Sequence, residues 1–133
     1  MELKRTNYSS GAPREEIDGY SRMVRVGPFV YIGGTTSVQP DGSVCGEGDA
    51  YAQTKYVLEK FGRLLKEAGS KYEDVISIKV YTTDIKKGTV ITRAYSEIFK
   101  KIKPLCTVVG TSALFRPTQI VEIELQAVIG SAE

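Results

Sequence analysis

The chain has 133 residues, 41% of them hydrophobic and 26% charged, with 18 lysines and arginines against 16 acids for a net charge of +2. This length fits one domain over residues 1–133 with a single core, and the well-mixed charges argue against disorder. They also argue against a nucleic-acid partner, which usually shows as a clustered basic patch. No run approaches the length of a membrane span, so we expect a cytoplasmic protein without a membrane partner.

Two absences narrow the chemistry that the chain can carry. It has no histidine, so Ser-His and Cys-His catalytic pairs and His-ligated metal sites are excluded within the chain. The two cysteines, Cys45 and Cys106, lie far apart and favour free thiols in a reducing compartment. We therefore expect neither a metal nor a cofactor, and proton transfer falls to other side chains or to bound water.

The first part of the chain predicts an arm followed by a hairpin. Residues 1–19 are polar and rich in turn formers, which indicates an arm or loop, with a short strand at residues 4–8 as an option. Residues 20–26 alternate in polarity, Gly27-Pro28 marks a turn, and residues 29–32 are β-branched or aromatic. This pattern is typical of a β-hairpin.

A glycine pair and a loop follow the hairpin. Gly33-Gly34 ends the second strand and permits a close approach that a β-carbon would block. Residues 39–48 are rich in Gly and Asp, but neither GxxxxGK[ST] nor a GxGxxG that opens a helix occurs here. The loop is therefore not predicted to bind phosphate.

Two segments have the residue spacing of amphipathic helices. Asp49 is an N-cap candidate and Gly69 a natural stop for a helix over residues 49–68. Its apolar residues recur at spacings of three and four: Val57, Leu58, Phe61, Leu64, Leu65 and Ala68. A second helix is predicted over residues 87–102, and Pro104 prevents its continuation.

Strand patterns surround the second helix. Residues 75–83 predict a strand with Ile76, Ile78 and Val80 on one face. Residues 106–111 predict a short strand, and the chain then closes with its strongest alternation. The apolar face of this last strand is formed by Val121, Ile123, Leu125 and Ala127, and its polar face by Glu122, Glu124 and Gln126. A row of acids beside a cysteine that follows a proline indicates a binding site.

The predicted elements follow the order ββαβαββ. Two helices with one apolar stripe each can cover one face of a single mixed sheet, which predicts a two-layer α+β domain. The other sheet face then has no covering layer inside the chain. Its candidate members are Tyr20, Lys79, Tyr81, Glu122, Glu124 and Gln126. A half-polar, uncovered face on so small a domain suggests self-association, with sites between subunits.

Four stretches occur in a fixed order along the chain: GYSRMVRVGPFVYIGGTT, YAQTKYVLEKFGRLLKEAGS, DVISIKVYTTDI and VEIELQAV. Together they run over nearly the whole chain, and the set resembles the RidA (YjgF-type) family, often labelled enamine/imine deaminases. The resemblance implies a chorismate-mutase-like fold assembled as a homotrimer. It also implies that a small-molecule ligand binds in clefts between neighbouring subunits.

The resemblance also implies which positions contact the ligand. The family's cleft tyrosine corresponds to Tyr20, and the loop whose backbone approaches the ligand corresponds to Gly34 and Thr35. A cleft asparagine on the second helix falls at Thr92. The glutamate that positions the attacking water corresponds to Glu122, which we expect to be catalytic if the chain is an enzyme.

Cys106 is the main departure from the family pattern. Deaminating members carry Pro-X-Arg-Ser where this chain reads Pro104-Leu105-Cys106-Thr107, and that arginine grips the substrate carboxylate. A thiol cannot replace a bidentate contact, whose loss typically costs about 2–5 kcal/mol. Thr107 takes the serine position as a candidate ligand contact. Cys106 itself is either a catalytic or redox-sensitive thiol, or a small residue in the space of the arginine.

Arg22 is a candidate replacement for the missing anchor. It follows Tyr20-Ser21, at a position where many deaminating members have glutamine, and could bind an anion from another direction. The competing interpretation is an arginine in a surface salt bridge. Glu124 shares the face of Glu122 but matches no family role, so we treat it as structural or inter-subunit.

Several functions remain open at this point, and so does whether the chain is an enzyme. The leading hypothesis is a ligand site for a small polar or carbonyl-bearing metabolite, with cofactor-free hydrolysis or tautomerisation by Glu122 and water. The alternatives are a non-enzymatic binding or chaperone-like module, and a deaminase that uses another anchor such as Arg22. RNA cleavage, also attached to the family, is disfavoured because RNA binding depends on cationic grooves and aromatic stacking.

Overall fold

Six strands form one mixed sheet, and two long helices pack on one of its faces. The computed structural model describes residues 3–132. The strands are β1 (Arg5–Tyr8), β2 (Met23–Val26), β3 (Phe29–Thr35), β4 (Val75–Thr82), β5 (Leu105–Gly110) and β6 (Val121–Val128). The helices are α1 (Pro13–Asp18), α2 (Ala50–Glu67) and α3 (Gly88–Phe99), with short 3-10 turns at Tyr72–Asp74 and Ile85–Lys87.

The strands lie in the order β1-β2-β3-β6-β4-β5. β4 and β5 are parallel, while the other neighbouring pairs are antiparallel. The parallel pair is connected through α3, as a parallel connection requires a crossover. The predicted two-layer α+β architecture is confirmed. Between residues 3 and 132, none of the helices combines the length and hydropathy that crossing a bilayer requires.

The N-terminal arm is more ordered than the sequence suggested. The optional strand exists as β1, which pairs with β2. The prediction of a loop before Tyr20 was wrong over Pro13–Asp18, where the chain forms α1. Proline stands at the start of this helix, and Gly19 follows its end with a φ of 80°, the left-handed conformation that commonly closes a helix. The predicted order ββαβαββ therefore omitted β1 and α1.

Helix α2 confirms its predicted boundaries and apolar face. The Asp49 side chain accepts a hydrogen bond from the backbone N–H of Ala52 at 3.0 Å, and Gly69 has a φ of 83° after the last turn. All six residues of the predicted stripe are buried: Val57, Leu58, Phe61, Leu64, Leu65 and Ala68. The stripe contacts α3, β3 and β6, so the core lies between the helices and the sheet.

Two details of the predicted strands and helices were wrong. Ile76 is 42% exposed, because the register between β4 and β6 shifts between Val75 and Ser77 and places Val75 in the core instead. Helix α3 ends at Phe99 rather than at residue 102. The backbone has left the helical conformation by Lys103, whose φ is 58°. The helix therefore ends before the chain reaches Pro104.

The second sheet face carries the side chains that were predicted for it. Register places Tyr81 opposite Glu122, and Lys79 opposite Glu124, on the side away from the buried residues of β4 and β6. Large apolar side chains of the neighbouring strands are also exposed: Phe29, Tyr31, Leu105 and Val109. The open face is therefore part polar and part apolar. Tyr20 lies outside the strands, in the segment before β2.

A buried amide joins α2 to the loop that leads into β6. Gln53 donates from Nε2 to the carbonyls of Thr118 (2.9 Å) and Gly46 (3.2 Å). Its Oε1 accepts from the backbone N–H of Ile120 at 2.8 Å. The side chain is fully buried, so these backbone groups have no water to replace it. Gln53 thereby fixes the start of β6, on which Glu122 lies.

We expect Gln53→Leu to lower the free energy of unfolding by at least about 2 kcal/mol, because each buried polar group left without its partner costs about 1–3 kcal/mol. Urea denaturation at fixed protein concentration measures the change. Glu59→Gln, an exposed position on the same helix, is the matched control. Equal stability of the two variants would contradict the role assigned to Gln53.

Candidate functional site

The Glu122 carboxylate lies against the backbone of Gly34. A β-carbon placed on Gly34 would stand 2.7 Å from Glu122 Oε2 and 3.1 Å from its Cδ. Real β-carbons do not approach that closely, so an alanine here would displace the carboxylate. The close approach predicted for the glycine pair is present at Gly34. A bulge in the β3–β6 register between Ile32 and Thr35 accompanies it.

Glu122 and Glu124 share one face of β6 but differ in their partners. The Tyr81 hydroxyl donates to Glu124 Oε1 at 2.6 Å, which occupies that carboxylate. Within residues 3–132, no protein group donates a hydrogen bond to Glu122, whose side chain is half-buried. Burial raises the pKa of Glu122; the Arg22 charge opposes this rise and the Glu124 charge adds to it. Glu122 is therefore the carboxylate available for chemistry.

Arg22 is buried rather than part of a surface salt bridge. The residue is 9% exposed, and Nε contacts Glu15 Oε2 at 3.3 Å. Its Nη1 donates to the Gly34 carbonyl and contacts Thr35 Oγ1 at 3.4 Å. The guanidinium also lies 5.4 Å from the centre of the Tyr20 ring. The surface interpretation of Arg22 was wrong, because its side chain is bound by Glu15 of α1 and by Gly34 and Thr35 of β3.

Several predicted ligand positions meet around this arginine. Tyr20 and Gly34 contact Arg22, and the Gly34 backbone contacts Glu122. Thr35 is buried, and its hydroxyl donates to the Gly33 carbonyl at 2.8 Å. That hydroxyl is used inside the chain and shapes the loop rather than facing solvent.

Cys106 lies on the opposite face of the sheet from Glu122. It pairs in register with Ile78, a core residue, so its side chain is directed to the side covered by α3. There it meets Tyr95. Cys106 is exposed as a residue, but partial burial of its thiol raises the pKa of that group, and the hydrogen bond with Tyr95 lowers it in part. A raised pKa leaves the thiol protonated at neutral pH, which disfavours a nucleophilic role. Both cysteines are free, as predicted.

The remaining predicted positions lie with α3 and β5 rather than around Arg22. Thr92 is half-buried on α3, and its hydroxyl donates to the Thr89 carbonyl at 3.2 Å. Thr107 is exposed on the open face opposite Lys79. Since β5 lies two strands from β6, about 10 Å separates their backbones. Within one chain, Cys106, Thr107 and Thr92 therefore lie apart from Glu122.

Sequence reasoning missed Glu15, the buried partner of Arg22. A signal for α1 was present, since a proline followed by acids and then a glycine is typical of a short helix. Nothing in that pattern shows that one of the two neighbouring acids is buried. Among residues 3–132, no group of three or more His, Cys, Asp or Glu side chains is placed to hold a metal ion.

Comparison with known proteins fixes the family. The Endoribonuclease L-PSP family matches residues 11–129, nearly the whole described chain. The chain belongs to the YjgF/RidA family. The predicted resemblance is therefore confirmed, and with it the chorismate-mutase-like fold.

Relatives of known sequence and structure agree with this assignment. A RutC family protein of Pyrococcus abyssi is 32% identical over 125 residues, which cover 94% of this chain and 95% of the relative. The crystal structure of Rv2704 from Mycobacterium tuberculosis, a YjgF/YER057c/UK114 family member, has a TM-score of 0.86 at 36% identity and covers 95% and 100% of the two chains. YyfA of Yersinia pestis, from the Rid family, has a TM-score of 0.81 at 25% identity over 95% and 100%.

We expect Glu122→Gln to become more stable than the native protein as the pH rises. The folded-state pKa of Glu122 lies above its ordinary value because burial disfavours the charge. Ionising it therefore costs the folded state free energy, and stability is lost as the pH rises through the folded pKa. Well below the ordinary value of 4.5 the two proteins should agree.

Urea denaturation between pH 4 and pH 8 measures this difference. Glu59→Gln, at an exposed position on α2, is the control substitution measured alongside. A difference that stays constant or shrinks as the pH rises would contradict the environment described for Glu122.

Proposed function

We propose that this RidA-type protein binds a small polar or carbonyl-bearing metabolite at Glu122, and that Glu122 with a water molecule carries out cofactor-free hydrolysis or tautomerisation. The observation that carries the proposal is a half-buried carboxylate that lies on a glycine backbone and has no protein donor within residues 3–132. Such a group can accept a proton from water or from the ligand.

The electrostatics of Glu122 suit a general base. A base works best when its pKa approaches the working pH, and burial raises the pKa of Glu122 in that direction. The absence of a β-carbon at Gly34 lets the carboxylate lie directly against the backbone. The exposed Tyr20 ring lies near Arg22 and offers an apolar surface for the ligand.

The chain does not offer the carboxylate grip that the family resemblance implies for 2-imino acids. Position 106 is a cysteine, and Arg22 is already engaged. Its Nε faces Glu15, while Nη1 faces Gly34 and Thr35. A bidentate grip uses N–H groups of two neighbouring guanidinium nitrogens, and in Arg22 both Nε and Nη1 already face protein oxygens. This disfavours a deaminase that uses Arg22 as its anion anchor.

We also propose that copies of the chain associate through the open face of the sheet. The open face exposes large apolar side chains, at Phe29, Tyr31, Leu105 and Val109, that a second copy can cover. A homotrimer, as the family resemblance implies, would bring β5 of one copy near β6 of another. Such an arrangement would bring Cys106, which is exposed on the edge strand β5, near Glu122 of another copy.

Restoring the arginine tests the account of specificity. We expect the native protein to release little ammonia from enzymatically generated 2-iminobutanoate. Cys106→Arg should raise the rate at least about tenfold, since a charged contact of this kind is typically worth about 2–5 kcal/mol. Cys106→Met, of similar length but uncharged, is the matched control and should gain nothing. Robust turnover by the native protein would overturn the claim that position 106 abolishes deamination.

A companion variant tests the role of Glu122. In the Cys106→Arg background, Glu122→Gln should abolish the gained turnover, whereas Glu124→Gln should retain most of it because that carboxylate is bonded to Tyr81. If Glu122→Gln changes neither turnover nor the thermal stabilisation produced by 2-oxobutanoate, Glu122 is not catalytic. That outcome would overturn the role proposed for Glu122.

A further inference from the structure

A buried ion pair lies behind the Glu122 site. Glu15 on α1 is 5% exposed and accepts hydrogen bonds from Ser9 Oγ at 2.8 Å, from Ser10 N at 2.9 Å and from Ser10 Oγ. Arg22 Nε completes the set at 3.3 Å. Burial alone would raise the pKa of Glu15, but these hydrogen bonds and the Arg22 charge hold it below its ordinary value. Glu15 is therefore ionised at neutral pH.

Arg22 lies between two carboxylates but pairs with only one of them. Its Nη1 donates to the carbonyl of Gly34, the same residue against which Glu122 lies. The two side chains thus contact the same residue, and the Arg22 charge opposes the rise that burial causes in the pKa of Glu122. In the part of the chain that the structure describes, Arg22 nevertheless forms its ion pair with Glu15 and not with Glu122.

The lack of an ion pair between Arg22 and Glu122 needs an explanation, because a guanidinium and a carboxylate form strong charge-assisted hydrogen bonds. Without Glu15, Glu122 is the carboxylate that lies against the same Gly34 backbone as the Arg22 guanidinium. An ion-paired Glu122 would be a weaker base, since a neighbouring opposite charge stabilises the ionised form. Its oxygens would also be occupied when a ligand or a water arrived.

We propose that Glu15 is a positioning residue, which holds the Arg22 guanidinium on the Gly34 carbonyl and keeps it out of an ion pair with Glu122. The proposal rests on the function proposed above, since a free Glu122 carboxylate matters only if that carboxylate does the chemistry. Glu15 acts through Arg22 and touches neither ligand nor reacting atoms. It has no counterpart among the positions that the family resemblance supplied.

Other charged groups face these residues and stay unchanged in the test. Glu124 and Tyr81 lie beside Glu122 on the open face, and Arg22 is the cation near it. On the other side, Lys60 of α2 lies near both Arg22 and Glu15. Burial lowers the pKa of Lys60, and the Arg22 charge lowers it further while Glu15 opposes this. The Glu15 charge therefore acts on a second cation as well, because it opposes the fall in the pKa of Lys60.

The test is the titration of Glu122 followed by carboxyl-carbon NMR in the full-length protein. In Glu15→Gln, Arg22 loses its partner and turns to Glu122, so we expect the Glu122 midpoint to fall by about one pH unit. Ser10→Ala is the matched control, because it removes the hydrogen bond that Ser10 Oγ donates to Glu15 but keeps the backbone N–H bond, the Glu15 charge and Arg22 in place. We expect no change in that control. An unchanged midpoint in folded Glu15→Gln overturns the proposal.

A double-mutant cycle separates the proposed route through Arg22 from a direct effect of the Glu15 charge. Arg22→Met alone should raise the Glu122 midpoint, since it removes the neighbouring cation. Adding Glu15→Gln to Arg22→Met should then produce little further change. An equal fall with and without Arg22 would show that Glu15 acts directly, and would overturn the proposal. Should Glu15→Gln not fold, Glu15→Asp tests the same point, because its shorter side chain no longer reaches Nε.

The two proposals can fail separately, because the titration uses no substrate. A fall in the Glu122 midpoint, combined with unchanged turnover and ligand stabilisation in Glu122→Gln, would support the positioning role of Glu15 and overturn the proposed function. Loss of turnover in Glu122→Gln, combined with an unmoved midpoint in Glu15→Gln, would do the reverse.

Discussion

The absence of a β-carbon at Gly34 is the constraint on which the site depends. Glu122 of β6 packs against that backbone, and any side chain at position 34 would occupy the place of its carboxylate. The Gly34 carbonyl is in turn held by Arg22, and Arg22 is held by Glu15. The position of β6 itself depends on Gln53, which joins the preceding loop to α2. Four residues outside β6, on four segments of the chain, therefore define where one carboxylate lies.

The two acids of β6 show how neighbouring residues of one type take different roles. Both lie on the open face, but Tyr81 donates to Glu124, whereas no group in the described chain donates to Glu122. Burial also raises the pKa of Glu122. A hydrogen-bonded acid stabilises the sheet and the face it lies on, while an unpartnered one can exchange a proton. On these grounds the proposed chemistry belongs to Glu122 alone.

The segments with strong periodicity could be predicted from the sequence, and their placement in space could not. Helix α2 and the apolar face of β6 follow from residue spacing, because an amphipathic element has one way to bury its apolar side. The exposure of Ile76 depends on a bulge that forms only when β4 pairs with β6. Likewise, the side of the sheet that Cys106 takes follows from its register with β4, a long-range pairing.

In the candidate site too, some residues could be predicted from the sequence and others depend on the fold. The resemblance to a family supplied Tyr20, Gly34 and Glu122, which the structure places around one arginine. It could not show that Arg22 is buried or that Glu15 is its partner, because a charged residue in a polar stretch gives no sign of burial. A buried charge is stable only with a partner, and that partner is identified by the fold. The sequence therefore predicted the carboxylate but not the ion pair behind it.

The most direct measurement is the titration of Glu122 in the native protein, followed by carboxyl-carbon NMR and assigned with Glu122→Gln. We expect its pKa to lie above the ordinary glutamate value of 4.5, because the half-buried carboxylate has no protein donor and Arg22 is bound to Glu15. A pKa at or below that value would contradict this. It would show that Glu122 is ion-paired or fully solvated and is not the base of the site.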